Sequence, residues 1–270
     1  MIDVHIPVEA KPAPATTVAA TGAETAIPQL SRRGVFAIWA ATALPMGALA
    51  WIVAPLLAGI TGGPSALQRA LLVTIPLGLV WQFVLILILV YREQRTLRWS
   101  VIREVLWLRA PRSPKTGRRG GRMWLAVPPL LVAFMVAAKF VPPLPHPEIR
   151  DAAVFLGSPA GHVLFHGSWG WFALIAIMLI FNSVLGEELL FRGLLLPRMN
   201  RAFGHWDWLA NGILFAAYHI HVWWEMPYLL LLGQIFAYPS KRYRSSPIGI
   251  AVHSAQTVFI LAMALALVLK

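Results

Sequence analysis

The stretch NSVLGEELLFRGLLLPRM, residues 182–199, places two carboxylates and a guanidinium inside an apolar run. Glu187 and Glu188 are adjacent, and Arg192 follows Glu188 by four residues. Side chains four apart on a helix share one face, and an acid that precedes its base pairs favourably. We therefore predict that Glu188 and Arg192 pair. Glu187, which points about 100° away around the helix, has no local partner.

Two further apolar runs contain histidine. FAAYH ends at His219, and HSAQT begins at His253 and reaches Thr257 four residues later. The rise of a helix, about 1.5 Å per residue, places Glu187, His219 and His253 at similar depth if their helices are neighbours. His221 is two residues from His219, a spacing that directs helical side chains to nearly opposite sides. We expect only His219 to join the site.

A carboxylate and two imidazoles in a partly dry cavity can move protons on a bound water. Glu187 would accept the proton, and His219 would share or orient the water. His253 would donate to the oxyanion of a tetrahedral intermediate. The same three side chains are also a possible metal site for zinc, whose ligands often combine histidine and carboxylate. These residue types do not choose between the two chemistries, and no cofactor is certain.

The composition indicates the elements that must position these groups. Of 270 residues, 58% are hydrophobic and 13% are charged, against about 25% charged in a soluble domain. Apolar runs of about 20 residues, enough to cross a bilayer as a helix, recur along the chain. We predict an all-α, polytopic transmembrane bundle with a polar catalytic cavity in its C-terminal half. About seven spans are expected, at 34–59, 70–91, 123–141, 170 to the glutamates, 208–224, 227–238 and 247–269.

Three parts are expected along the chain. Residues 1–31 are rich in Ala, Pro and Thr and are predicted to form a disordered cytoplasmic tail. Residues 32–165 would hold the N-terminal spans with a basic cytoplasmic loop at 91–122, and 166–270 would form the catalytic membrane region. Within the loop, 99–108 is amphipathic and has two interpretations, a helix on the inner surface or a plain loop.

The charge distribution indicates orientation rather than nucleic-acid binding. The net charge of +12 lies mostly in loops between apolar runs, where Lys and Arg mark the cytoplasmic side. The expected location is the bacterial cytoplasmic membrane with the N-terminus inside. Lipid is the expected surrounding partner, and no nucleic-acid partner is expected. The chain has no cysteine, so disulfides and thiolate metal sites are excluded.

The three motifs resemble those of the CPBP family, the CAAX protease and bacteriocin-processing membrane proteins that include Rce1-like endopeptidases and bacterial Abi proteins. EELLFR at 187–192 resembles the family motif EExxxR, and FAAYH at 215–219 resembles FxxxH. HSAQT at 253–257 stands where the family has HxxxN. The resemblance covers about residues 170–269 and keeps the order and helix placement of the motifs.

The resemblance implies an intramembrane peptidase, either glutamate-dependent or a metalloprotease, that hydrolyses peptide or membrane-protein substrates. Glu187 and His219 would activate water, and Glu188 and Arg192 would support the site. His253 and the residue four positions later would form the oxyanion pocket.

This chain departs from the family pattern at one position, where Thr257 replaces asparagine. The departure favours one alternative, a non-proteolytic membrane interaction or scaffold protein that retains the fold. A proton-coupled transporter is a further alternative, against which the chain shows no internal repeat. Taken singly, the Glu188–Arg192 pair and His219 are more often structural than catalytic. The three ordered motifs together favour a site.

The first prediction concerns orientation. Because the chain lacks native cysteine, a cysteine introduced at Ser113 should be the only thiol. It should react with a membrane-impermeant reagent only from the cytoplasmic side, since 91–122 is the most basic loop. A cysteine placed in the expected outer loop, 142–169, is the matched control. Labelling at position 113 from outside would reverse the predicted topology.

Overall fold

The computed structural model describes residues 27–269, which contain twelve α-helices and no strand. The predicted tail, 1–31, lies outside the described residues except for 27–31. These five residues are anchored: the Leu30 N–H donates to the Arg198 carbonyl at 2.9 Å, and the Gln29 amide donates to the Pro197 carbonyl at 3.0 Å.

The helices fall into an N-terminal and a C-terminal group. The first group is α1 (Arg32–Ala48), α2 (Ala54–Thr61), α3 (Ala66–Gln94), α4 (Trp99–Val105), α5 (Val127–Phe140), α6 (Ala152–Leu156) and α7 (Pro159–Phe165). The second group is α8 (Trp169–Ile180), α9 (Asn200–Phe203), α10 (Asp207–Tyr218), α11 (Met226–Tyr243) and α12 (Ser246–Leu269).

Five continuous helical stretches in the described part are long and apolar enough to cross a membrane. They are Arg32–Thr61, Ala66–Gln94, Gly121–Phe140, Trp169–Arg198 and Ser246–Leu269. Their outer surfaces carry many exposed large apolar side chains, which water-soluble proteins rarely expose in continuous patches. The chain is therefore an all-α polytopic membrane protein, as predicted, and these stretches match the first four and the last expected spans.

The predicted spans at 208–224 and 227–238 are wrong in their bounds. Helix α10 has only 12 residues, about 18 Å of rise, against a hydrocarbon core of about 30 Å. It ends at Tyr218 because the backbone leaves helical geometry at His219 (φ −80°, ψ 36°). A 3₁₀ segment, Ile220–Glu225, then leads into α11.

Helices α10 and α11 form an antiparallel hairpin instead. Lys241, near the end of α11, pairs with the buried carboxylate of Asp207 at the start of α10. A Cβ added to Gly233 would clash with the backbone of Gly212, so the two helices pack backbone against backbone. This close packing holds the turn that carries His219 at a fixed height in the bundle.

The amphipathic stretch 99–108 forms a helix and then a buried plug. Helix α4 ends at Val105, and the side chains of Val105 and Leu106 are fully buried. The Leu106 carbonyl accepts from the Ser246 hydroxyl at 2.9 Å, and the Val105 carbonyl accepts from the buried Arg198 at 3.1 Å. The segment therefore closes one end of the bundle beneath α12 and the glutamate-bearing helix.

At the other end, the loop after α5 contacts the tip of the hairpin. The Leu144 N–H donates to the Trp224 carbonyl at 2.9 Å, and the His146 ring stacks on Trp224 with centroids 4.9 Å apart. The two ring nitrogens of His146 lie 2.8 Å from the Leu144 carbonyl and 2.8 Å from the Asp151 carboxylate. Both contacts are satisfied by the imidazolium form, in which both nitrogens donate.

The charged forms of both His146 and Asp151 are stabilised at this contact. The hydrogen bond to the Leu144 carbonyl, and then the one to Asp151, raise the pKa of His146 above its ordinary value. Burial raises the pKa of Asp151, but the Val154 N–H, His146 and the Ala153 N–H outweigh it and leave the pKa below its ordinary value.

The second prediction follows from these directions. The stability that His146 contributes is fully present below the pKa of unfolded histidine, about 6.5, and is lost as pH rises through the raised pKa of the folded state. The melting temperature in detergent should therefore fall as pH rises above about 6.5, and His146→Ala should flatten this dependence. An equal slope in both proteins would contradict the assignment.

Candidate active site

The Glu188–Arg192 pair forms as the spacing predicts. Arg192 Nη1 donates to Glu188 Oε1 at 2.9 Å, and both side chains are fully buried. Arg192 Nη2 donates to the Gly233 carbonyl at 3.1 Å. The guanidinium carbon lies 4.3 Å from the ring centroid of Phe215 and 5.2 Å from that of Phe236. The cation thus has a carboxylate, a carbonyl and two aromatic faces around it.

The helix that carries both glutamates departs from regular α-geometry. It is π-helical over Phe181–Gly186 and again over Leu189–Leu195. In the first segment the Glu187 N–H donates to the Asn182 carbonyl, an i→i+5 bond that places Asn182 about one turn before Glu187. Such π-bulges are frequent at functional sites. Nothing in the local sequence predicted them.

Glu187 lies against His219. Its Oε1 is 3.5 Å from His219 Nε2, and both side chains are buried. His219 Nδ1 lies 2.8 Å from the Phe215 carbonyl, which accepts the Nδ1 proton. The Nε2 atom is therefore the one that faces the carboxylate, and a neutral imidazole presents a lone pair there. Two facing acceptors can share a proton or a water that donates to both.

His221 lies closer to this pair than the spacing predicted. The rings of His219 and His221 stack with centroids 5.4 Å apart, and His221 Nδ1 is buried without a hydrogen-bond partner. The expectation that the two rings point to opposite sides is wrong. It assumed a continuous helix, whereas α10 ends at Tyr218 and the next residues form the 3₁₀ segment.

His253 contacts the second glutamate rather than the first. Its Nδ1 lies 3.2 Å from Glu188 Oε1, and its ring stacks on Phe236 with centroids 5.0 Å apart. Its Nε2 lies 3.4 Å from the Asn182 side-chain nitrogen. The site therefore consists of two adjacent carboxylate–imidazole pairs, Glu187 with His219 and Glu188 with His253.

Thr257 has a partner that the sequence did not indicate. Its hydroxyl is hydrogen-bonded to the hydroxyl of Ser183. The carboxamide near His253 belongs to Asn182, on the glutamate helix, and not to a residue of α12. Sequence reasoning missed both Asn182 and Ser183. The signal that could have found them is their polarity within an apolar span, directly before the glutamates.

The three expected metal ligands do not form one set. Within residues 27–269, no three His, Cys, Asp or Glu side chains are arranged to hold a metal ion. His253 directs one ring nitrogen to Glu188 and the other to Asn182, which leaves only Glu187 and His219 facing each other. The donors present do not fit a zinc site of three or four protein ligands.

A comparison with family models places this geometry in context. Residues 168–259 match the model described as type II CAAX prenyl endopeptidase Rce1-like. This region is Rce1-like. The match confirms the resemblance to the CPBP family, and all three motifs lie inside the matched residues. Comparison with curated proteins and with solved structures gave no match.

The Rce1-like region and the apolar helices together support a CAAX-type intramembrane protease at the level of the family. The matched residues begin in the loop between α7 and α8 and end inside α12. Both carboxylate–imidazole pairs therefore lie in this region, and α1 to α7 lie outside it.

The third prediction tests the packing around Glu188. A Cβ on Gly249 would clash with Glu188 Oε2 and lie 3.0 Å from Ser240 Oγ. Glu188 cannot easily move away, because Arg192 and His253 hold its other oxygen. Gly249→Ala should lower the free energy of unfolding by about 1–3 kcal/mol, as overpacking does, and should weaken activity.

Gly170→Ala is the matched control, since a Cβ there meets nothing within 4 Å. It should be neutral or slightly stabilising, because alanine is the better helix former. Thermal unfolding of both variants in the same detergent provides the measurement. Equal melting temperatures for Gly249→Ala and the unchanged protein would show that Glu188 is not held as described.

Proposed function

We propose that this protein is an intramembrane endopeptidase that hydrolyses peptide bonds of membrane-associated substrates, with Glu187 as the general base. The observation that carries the proposal is the buried contact of 3.5 Å between Glu187 Oε1 and His219 Nε2. Burying an ionisable pair in an apolar membrane bundle is costly, and such a pair usually marks a functional site. The Rce1-like match over the same residues supports peptide hydrolysis rather than another proton-transfer reaction.

The chemical step uses a water held between these two side chains. Glu187 takes a proton from the water as the water oxygen attacks the carbonyl carbon, and the C=O electron pair moves onto oxygen. His219 accepts the other hydrogen bond of the water through Nε2, because its Nδ1 proton is directed to the Phe215 carbonyl. When the tetrahedral intermediate collapses, the C–N bond breaks and the leaving nitrogen takes the proton from Glu187.

The second carboxylate has a supporting role. Arg192 neutralises Glu188, so the buried site holds one compensated pair and one carboxylate, Glu187, that faces an imidazole nitrogen and can accept a proton. Glu188 in turn accepts from His253 Nδ1 and fixes the orientation of that ring. A charged pair kept intact beside the base provides a constant field during proton transfer.

The rival function is a membrane interaction protein that retains the fold without hydrolysis. The hydrogen bond between Thr257 and Ser183 favours it, since the Thr257 hydroxyl is held by a neighbouring side chain and cannot donate to an oxyanion when it donates to Ser183.

The name of the matched family suggests a prenylated CAAX peptide as the first substrate to test. Mapping new peptide termini in a membrane proteome tests other substrates without assuming a prenyl group.

The fourth prediction separates the two glutamates. Glu187→Gln should abolish cleavage of either substrate while the melting temperature stays near that of the unchanged protein, because the amide cannot accept the proton. Glu188→Gln should lower both activity and stability. Removing one partner of a buried ion pair costs about 3–5 kcal/mol, and here Arg192 is left unneutralised.

Cleavage and thermal unfolding are measured on both variants in the same lipid or detergent. Full activity of Glu187→Gln, or a stable but inactive Glu188→Gln, would reverse or refute the roles. Retained binding of a partner by Glu187→Gln, with no cleavage by the unchanged protein, would favour the interaction protein. Cleavage that stops on chelation and returns with zinc would favour a metal-dependent reaction.

A further inference from the structure

The proposed hydrolysis needs a hydrogen-bond donor for the oxyanion, and the two residues of α12 expected to supply it, His253 and Thr257, both have hydrogen-bond partners within the protein. His253 directs Nδ1 to Glu188 at 3.2 Å. The Thr257 hydroxyl is hydrogen-bonded to Ser183. His253 Nδ1 is therefore not free for a substrate carbonyl, and the Thr257 hydroxyl can donate to one only when Ser183 is the donor of their hydrogen bond.

Asn182 occupies the place that these groups leave. In a regular α-helix, residues five apart are rotated by about 140°, so Asn182 and Glu187 would face different sides. The π-helical bond from the Glu187 N–H to the Asn182 carbonyl adds a residue to this turn and brings the two side chains towards one face. The irregular turn thus rotates the Asn182 carboxamide towards the helix face that carries the proposed base.

Contacts through His253 orient this carboxamide. Arg192 donates to Glu188, Glu188 accepts from His253 Nδ1, and His253 Nε2 can accept from the Asn182 amide at 3.4 Å. This is the only hydrogen-bond partner of the Asn182 side chain within residues 27–269. One amide hydrogen is therefore directed to His253, and the second remains available. The side chain is partly exposed, unlike the fully buried Glu188.

We propose that Asn182 is the oxyanion donor of the reaction proposed above, in the role that the sequence assigned to Thr257. As the water attacks, the carbonyl electron pair moves onto oxygen, and the free Nδ2–H of Asn182 donates to that oxygen. The bond strengthens as negative charge develops and weakens when the C–N bond breaks. His253 is then a positioning residue that holds the amide in place.

The test compares carboxamides and hydroxyls at three positions, 182, 256 and 257, with the peptide that the unchanged protein cleaves fastest in the terminus mapping. Asn182→Ala should lower kcat by about 100-fold, the usual effect of losing one oxyanion donor. KM should change little, since the donor acts in the transition state. Thr257→Val should cost much less. Gln256→Ala, which removes another carboxamide of the same helix as His253, should leave kcat unchanged.

A rescue variant and a transition-state mimic distinguish catalysis from structure. Residue 257 lies four positions after His253 and shares its helix face, so Thr257→Asn should restore part of the kcat lost in Asn182→Ala. A phosphonate analogue of the same peptide carries a tetrahedral anion. Its affinity should fall in Asn182→Ala by a factor similar to that for kcat. A purely structural role would not produce this parallel.

The inference and the proposed function fail in different ways. If Glu187→Gln is inactive but Asn182→Ala keeps its kcat while Thr257→Val loses it, the hydrolase stands and Thr257 is the donor. If Asn182→Ala changes only KM, the amide binds substrate and the inference is overturned. If the unchanged protein cleaves nothing, both are overturned. Should Asn182→Ala not fold, Asn182→Asp keeps the shape, loses the donor and must lose at least as much kcat.

Discussion

The architecture of the site depends on one constraint, the need to neutralise two adjacent carboxylates in an apolar bundle. Arg192 neutralises Glu188. The guanidinium also contacts the Gly233 carbonyl and the ring faces of Phe215 and Phe236. These partners come from three helices. The ion pair therefore fixes the positions of α10 and α11 against the glutamate helix, and the close packing of Gly233 on Gly212 keeps these two helices together.

The roles proposed for the two carboxylates differ because their surroundings differ. Glu188 is compensated by a permanent cation and a hydrogen bond from His253. Glu187 faces the Nε2 atom of His219 and no cation. The first carboxylate therefore has a fixed counter-charge, whereas the second faces only a ring nitrogen. The asymmetry predicted from the i,i+4 spacing of Glu188 and Arg192 is thus preserved in three dimensions.

The sequence was sufficient where a single helix determines the outcome. The long apolar runs gave five of the helices that can cross a membrane, and the spacing of Glu188 and Arg192 gave their pair. It failed where the backbone departs from a regular helix. The break at His219 has no glycine or proline beside it, and the π-helical turn of Asn182 has only Gly186 at its end, a residue that also occurs within regular helices. Three contacts depend on these departures. They are the stacking of His221 on His219, the contact of His253 with Glu188 and the proximity of Asn182 to His253.

The part of the chain outside the Rce1-like region also supports the site. Gln82 of α3 is hydrogen-bonded to the hydroxyl of Tyr218, the residue before His219. Glu93, near the end of the same helix, forms two hydrogen bonds with the buried Arg198, at 2.9 and 3.0 Å. Helix α3 therefore contacts both the turn that carries the imidazole and the end of the helix that carries the carboxylates.

These two contacts explain how a 3.5 Å separation can be held between residues on different helices. At the break after Tyr218 the backbone of His219 keeps hydrogen bonds only to residues three positions away, to the Ala216 carbonyl and from the Val222 N–H, so the position of its ring also depends on neighbours. The Phe215 carbonyl fixes the ring through Nδ1, and Gln82 fixes the preceding residue. Because Gln82 lies on a helix that the family match does not include, the distance between base and imidazole is a property of the whole bundle rather than of the three motifs alone.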